Sequence, residues 1–95
     1  MDIAVIGALV ADSARCQILL ALRDGSSLPA TRLAAEAGVS PATASSHLSK
    51  LTAAGLLTVQ AQGRHRYYKV SGPQVHSLIE ALDQLAEPEQ TNILE

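Results

Sequence analysis

Residues 39–57, VSPATASSHLSKLTAAGLL, carry the boundary signals of a complete helix. Ser40 can cap its start, because the hydroxyl accepts from a free first-turn amide, and Pro41 takes the first helical position, where no donor is needed. Gly55 is the stop signal. At about 100° per residue, Ala44, Leu48 and Leu51 fall on one side, while Ala42, Ser46, Ser49 and Ala53 fall on the other. Thr43 and Lys50 border that outer face on one flank and Ser45 on the other. A solvated helix face ordinarily carries Glu, Lys and Arg. Small hydroxyls and methyls in their place let another surface approach closely.

On the N-terminal side, Gly38, Val39 and Ser40 form a short connection from a helix predicted over residues 29–37. There Leu33 and Ala34 point inward, and Arg32 and Glu36 point outward as an i,i+4 pair. Two helices joined in this way form a helix-turn-helix. Past Gly55 the period changes from helical to alternating. Residues 56–61 predict a strand, Gln62 and Gly63 a turn, and residues 64–70 a returning strand, so the hairpin forms a wing. Alternation places Arg64 and Arg66 on one side of it and His65 and Tyr67 on the other.

Further out, residues 3–11 read as a short apolar helix whose sticky side is Ile3, Ile6, Leu9 and Val10. Asp12 or Ser13 can cap the next helix, residues 13–24, with Ile18, Leu19 and Leu22 as its stripe and Cys16 and Leu20 extending it. Gly25 ends that helix, and residues 26–28 read as a connector. After the hairpin, Ser71, Gly72 and Pro73 break the strand, and Pro73 starts a last helix to about residue 86. Its stripe of Val75, Leu78, Ile79, Leu82 and Leu85 has the spacing of a helix that packs lengthwise against another. The fold class is therefore mainly α with a small β-hairpin: a winged helix-turn-helix in the order α-α-α-α-β-β-α, over residues 1–87. Residues 88–95 read as a polar, frayed tail, and Leu94 and Glu95 are consistent with a cloning remnant or with the cut end of a longer chain.

The chain has 95 residues, which suits one domain with a modest core. Apolar residues make up 47% and charged ones 17%, a balance that excludes disorder, yet Phe and Trp are absent, so the core must be aliphatic. A small core with apolar helices to spare favours dimerisation, since a partner supplies the missing buried area. No apolar run approaches the roughly 18 residues needed to span a bilayer, and residues 1–10 lack the charged start of a signal peptide. The expectation is a cytoplasmic protein without a membrane partner. Cys16 is the single cysteine, which excludes an internal disulfide and suits a small core residue.

Net charge is -2, but its distribution is uneven. All nine acids lie at or before Glu36 or at or after Glu80, whereas the interval between holds Lys50, Arg64, Arg66 and Lys69. That interval is +4, and the rest, with three arginines against nine acids, is -6. One face is thereby suited to a polyanion. Ser45, Ser46 and Ser49 can reach base edges or phosphates, and Ala42 and Thr43 can offer methyls to thymine. Free amides near Ser40 and Pro41 can face a phosphate. Lys50, Arg64 and Arg66 would release counterions, the wing arginines from the backbone or the minor groove. His47, beside the core edge of the motif helix, reads as a packed, hydrogen-bonded residue in preference to a base reader.

Three segments, ADSARCQILLAL, LAAEAGVSPATASSHLSKLTAAGLL and GRHRYYKV, together make the chain resemble the ArsR-type (arsenic repressor) family of bacterial transcription regulators across most of residues 11–70. The resemblance implies a homodimer built from the first and last helices, its interface being Ile3, Ile6, Leu9 and Val10 with Val75, Leu78, Ile79, Leu82 and Leu85. It also implies operator DNA bound by two copies of the 40–54 helix and the 62–66 wing, and repression relieved by an effector. The sequence departs from the family at the effector sites. Pro29 and Thr31 stand where metal-sensing members carry thiols, and Gly72 and Gln74 stand where others carry Asp and His. No metal or other cofactor is therefore expected, and the effector, such as a small molecule, is unassigned. His76, Glu80, Asp83 and Glu87 share one stripe of the last helix that would suit zinc or nickel chemically, but a solvated face explains them. The chain offers no phosphate loop, no paired inward carboxylates and no nucleophile with a base, so an enzyme is not expected. The competing reading is a winged-helix module that docks on another protein without binding DNA, and the acid-free interval disfavours it.

Overall fold

A computed structural model describes residues 2–86, so the tail assigned to residues 88–95 lies outside the described residues. The first helix, α1 (Ile3–Ala11), is capped by Asp2, whose carboxylate accepts from the Ala4 amide at 2.8 Å. Asp12 ends α1 and caps α2 (Ser13–Ala21), accepting from the amides of Ala14 at 2.9 Å and Arg15 at 3.1 Å. The chain turns through 89° at this corner. Helix α2 stops short of the predicted residue 24. The amides of Leu22, Arg23 and Gly25 each reach a carbonyl three residues back, which tightens the last turn.

The predicted connector holds a short strand, β1 (Leu28–Pro29), and α3 (Ala30–Ala37) begins after Pro29 rather than at it. Proline holds the preceding residue extended, and the strand uses that geometry. Gly38 ends α3 with φ of 67°, the left-handed conformation that lets the chain turn sharply into α4 (Pro41–Ala53). The wing is β2 (Leu57–Gln62) and β3 (His65–Val70), paired antiparallel from Leu57 opposite Val70 to Gln62 opposite His65. The hairpin turn is Gly63 and Arg64, one residue later than predicted, with positive φ only at Gly63. Strand β1 pairs with β3, Leu28 facing Tyr68 and Pro29 facing Tyr67, so the sheet has three strands in the order β1-β3-β2. The last helix is α5 (Pro73–Leu85).

The core is aliphatic, as the composition requires. Ile18 from α2, Leu22 at its C-cap, Leu33 from α3, and Leu48 and Leu51 from α4 are all fully buried, and Leu56, Leu57, Val70 and Ile79 pack with them. Burying one such side chain contributes about 1.5–3 kcal/mol, and this shared cluster joins α2 to both helices of the helix-turn-helix. Ile79 corrects one expectation: it is 3% exposed and belongs to the protomer's own core, not to the outward face of α5. Leu9, Val10 and Val75 lie half-buried against the same core, and Ile6 and Leu78 are also half-buried. By contrast Ile3 at 88%, Leu82 at 41% and Leu85 at 84% are open to solvent. Among the described residues no single helix is long and apolar enough to cross a membrane.

Candidate nucleic-acid interface

Helix α4 divides as its periodicity requires. Ala44, Leu48 and Leu51 are fully buried, while Ala42, Thr43, Ser45, Ser46, Ser49 and Lys50 are exposed. The Ser40 hydroxyl accepts from the Thr43 amide at 3.1 Å and donates to the Thr43 hydroxyl at 3.0 Å, so the cap also orients the Thr43 side chain. No acid occupies the first turn of α4. Its positive dipole end, with Pro41 exposed beside it, therefore faces outward uncompensated.

The wing meets this helix across an open cleft of about 380 Å³. The cleft is lined by Ser45 and Ser49 of α4, by Arg64, His65, Arg66 and Tyr68 of the wing, and by Pro29, Ala30 and Thr31 at the β1–α3 junction. The fold thus joins two of the predicted motif-helix serines, Ser45 and Ser49, to the predicted wing arginines, while Ser46, also exposed, is not among the cleft's lining residues. Arg64 sits in the hairpin turn and Arg66 on β3 opposite Ala61, both exposed. Two residues apart on β3, His65 and Tyr67 stack edge to face with ring centroids 6.4 Å apart, and His65 also borders the cleft, which strict alternation with Arg64 and Arg66 did not predict. Sequence reasoning missed the contribution of residues 29–31 to the cleft. The Leu28–Pro29 pair was the available signal, because an extended residue before proline is a strand former as well as a connector.

The charge segregation survives folding. Arg23 pairs with Asp83 at 3.0 Å and Arg32 with Glu36 at 3.5 Å, whereas among the described residues no ion pair engages Lys50, Arg64, Arg66 or Lys69. The cations of the acid-free interval are therefore available to an outside anion. His47 is packed and hydrogen-bonded: its side chain is 13% exposed, and Nδ1 lies 3.1 Å from Arg15 Nη1. Its Nε2 lies 3.9 Å from the Asp12 carboxylate. The Arg15 amide holds the Asp12 carboxyl below the ordinary carboxylate range; desolvation opposes that effect, and the Arg15 charge and the Ala14 amide add to it.

Among the described residues no group of three or more His, Cys, Asp or Glu side chains converges as a metal site. On α5, His76 Nε2 lies 3.9 Å from Glu80, Asp83 is engaged by Arg23, and Glu87 lies outside the described residues. Cys16 is half-buried, beside Val10, Leu20 and Leu78.

A helix-turn-helix domain family matches residues 10–60. The chain is 45% identical over 85 residues to the HTH-type transcriptional regulator YdfF of Bacillus subtilis, a match that covers 90% of this chain and 38% of YdfF. It is 39% identical over 69 residues to the HTH-type transcriptional regulator CmtR of Mycobacterium tuberculosis, covering 73% of this chain and 58% of CmtR. The chain thus spans about two fifths to three fifths of the length of these relatives. Among solved structures it superposes on the homodimeric winged helix-turn-helix DNA-binding domain of Mb0332 from Mycobacterium bovis, described as a "possible ArsR-family transcriptional regulator". The TM-score is 0.80 at 28% identity, covering 90% of this chain and 78% of that one.

Proposed function

Because the chain belongs to the helix-turn-helix family, of the ArsR winged-helix type, we propose that it is a transcription regulator that binds double-stranded DNA as a homodimer. One observation carries the reading: the cleft sets Arg64 and Arg66 beside Ser45 and Ser49, with no acid among its lining residues. In this reading each α4 enters a major groove, and Ser45, Ser46 and Ser49 meet base edges or phosphates. The two helices lie about one helical turn, roughly 34–36 Å, apart on a near-palindromic operator. Arg64, Arg66 and Lys50 hold phosphates.

The exposed apolar residues Ile3, Leu82 and Leu85 support a second copy as the dimer partner. The proposed role is that of a repressor in the cytoplasm, without catalytic activity. An effector bound near the dimer helices would change the angle between protomers, so that both α4 helices no longer fit the grooves together.

The test is an NMR titration of the labelled chain with an arbitrary duplex at low salt. Amide shifts concentrated at residues 40–50 and 62–66, fading as salt rises, are the expected result. Replacing Arg64 or Arg66 with alanine should lower the slope of log affinity against log salt by about 0.9 for each phosphate no longer neutralised. An intact dimer without shifts at those positions would sink the DNA reading and favour a protein-docking module.

A further inference from the structure

Three helices converge on one side chain outside the cleft. A guanidinium donates from Nε and from both terminal nitrogens and accepts nothing, so a half-buried arginine is oriented by whichever acceptors surround it. Arg15, in the first turn of α2, has two acceptors from different elements. Its Nε donates to the Leu9 carbonyl oxygen at 2.6 Å, filling an otherwise open acceptor in the last turn of α1. Its Nη1 lies 3.1 Å from His47 Nδ1, in the middle of α4, and that nitrogen must be the acceptor. Asp12, which caps α2 through the Arg15 amide, lies 3.9 Å from the other imidazole nitrogen.

We infer that Arg15 is a positioning residue that ties the α1–α2 corner to the DNA-reading helix, so that a displacement of α1 is felt at α4. Helix α1 buries no residue of its own and packs chiefly on α2, so Arg15 gives it a polar link to α4. Arg15 and Lys50 also line one open groove with Ala4, Val5, Ala8 and Leu9, which puts the underside of α1 beside the C-terminal part of α4. His47 stands between Ser46 and Leu48, so rolling α4 about its axis to release the imidazole would carry the exposed serines away from their places. The consequence for DNA rests on the proposed function; the mechanical link does not.

The experiment compares the wild-type chain with Arg15→Lys, His47→Leu, the double variant and His47→Asn. Lysine keeps the charge but cannot span two acceptors, and asparagine returns an acceptor near the Nδ1 position. Each protein is titrated with a duplex enriched from a random library by the wild-type chain, and the amides of residues 45–50 are followed by NMR without DNA. The expected result is about a tenfold loss of affinity for Arg15→Lys and for His47→Leu, and a double variant no weaker than either. The salt slope should stay unchanged and His47→Asn should stay close to wild type.

Additive losses, or His47→Asn as weak as His47→Leu, would overturn the inference. A salt slope lower by about 0.9 in Arg15→Lys would also overturn it, by making Arg15 a direct phosphate ligand. If the wild-type chain enriches no duplex, the DNA reading fails alone. The link is then judged by the amides of residues 45–50 in Arg15→Lys: displaced shifts support it and unmoved shifts overturn it.

Discussion

The Ser71 hydroxyl donates to the Gly55 carbonyl oxygen at 2.7 Å, joining the end of β3 to the turn that closes α4. The Ser71 amide donates to the Leu56 carbonyl at 3.1 Å, so both donors of one residue anchor the root of the wing. Ser71→Ala removes the first bond and leaves the second. The expected loss is about 0.5–1 kcal/mol, because the bond is exposed and water replaces it. Thermal unfolding should fall by a few degrees, and the amides of Arg64 and Arg66 should shift as the wing loosens.

Ser40 separates capping from anion binding. Ser40→Ala loses the acceptor for the Thr43 amide and should cost about 1 kcal/mol. Ser40→Asp keeps an acceptor and adds a favourable charge at the helix start, so its melting temperature should match or exceed wild type. The same carboxylate faces the proposed phosphate, so duplex affinity should drop in fluorescence titrations. Unchanged affinity in this stable variant would remove the start of α4 from the DNA surface.

Ile79 and Leu85 share a stripe on α5 but not a role. Ile79→Ala opens the protomer's own core and should destabilise it by about 2–5 kcal/mol, read from chemical unfolding. Leu85, 84% exposed, can be replaced by glutamate without touching that core. Leu85→Glu should retain its far-ultraviolet spectrum and sediment as a monomer at a concentration where the wild-type chain is dimeric. A dimer of unchanged strength would place the partner surface elsewhere.

Asp12 should contribute to acid sensitivity. Its carboxyl is held below the ordinary value of 3.8, first by the bond from the Arg15 amide. A depressed folded value means that the unfolded chain takes up the proton first on acidification. The stabilisation is therefore present above the unfolded value and is lost as pH falls through the folded one. Asp12→Asn keeps a cap acceptor and cannot titrate, so its urea midpoint should vary less than wild type below about pH 4. Asp24, held low first by the Ser26 hydroxyl and then by its amide, leaves a residual slope in both proteins.

The helix-turn-helix was legible in the chain because its signals are local. Ser40, Pro41, Gly38 and Gly55 mark boundaries through backbone chemistry that acts within a few residues. Ala44, Leu48 and Leu51 declare a buried face through spacing alone. The hairpin was legible for the same reason, and its turn shifted by one residue because Gln62 and Gly63 are both acceptable turn residues until pairing of Gln62 with His65 selects the register. The charge segregation and the exposed faces of α4 are likewise properties of the linear order.

Other features depend on which elements meet, and no local signal carries that. Pairing of Leu28 with Tyr68 made a strand of a predicted connector and brought Pro29, Ala30 and Thr31 into the cleft. Ile79 looked like its stripe neighbours Leu82 and Leu85 until packing placed it in the core and left them open to solvent. His47 could be recognised as packed, but its partner Arg15 lies 32 positions away, across the α1–α2 corner. Sequence by itself determined the five helices, the wing hairpin, the buried face of α4 and the charge of the exposed one, because capping, periodicity and charge act along the chain. Only the tertiary structure decided the wing-to-helix cleft, the core role of Ile79 and the Arg15–His47 link, because each arises from long-range packing between elements whose own sequences are indifferent to it.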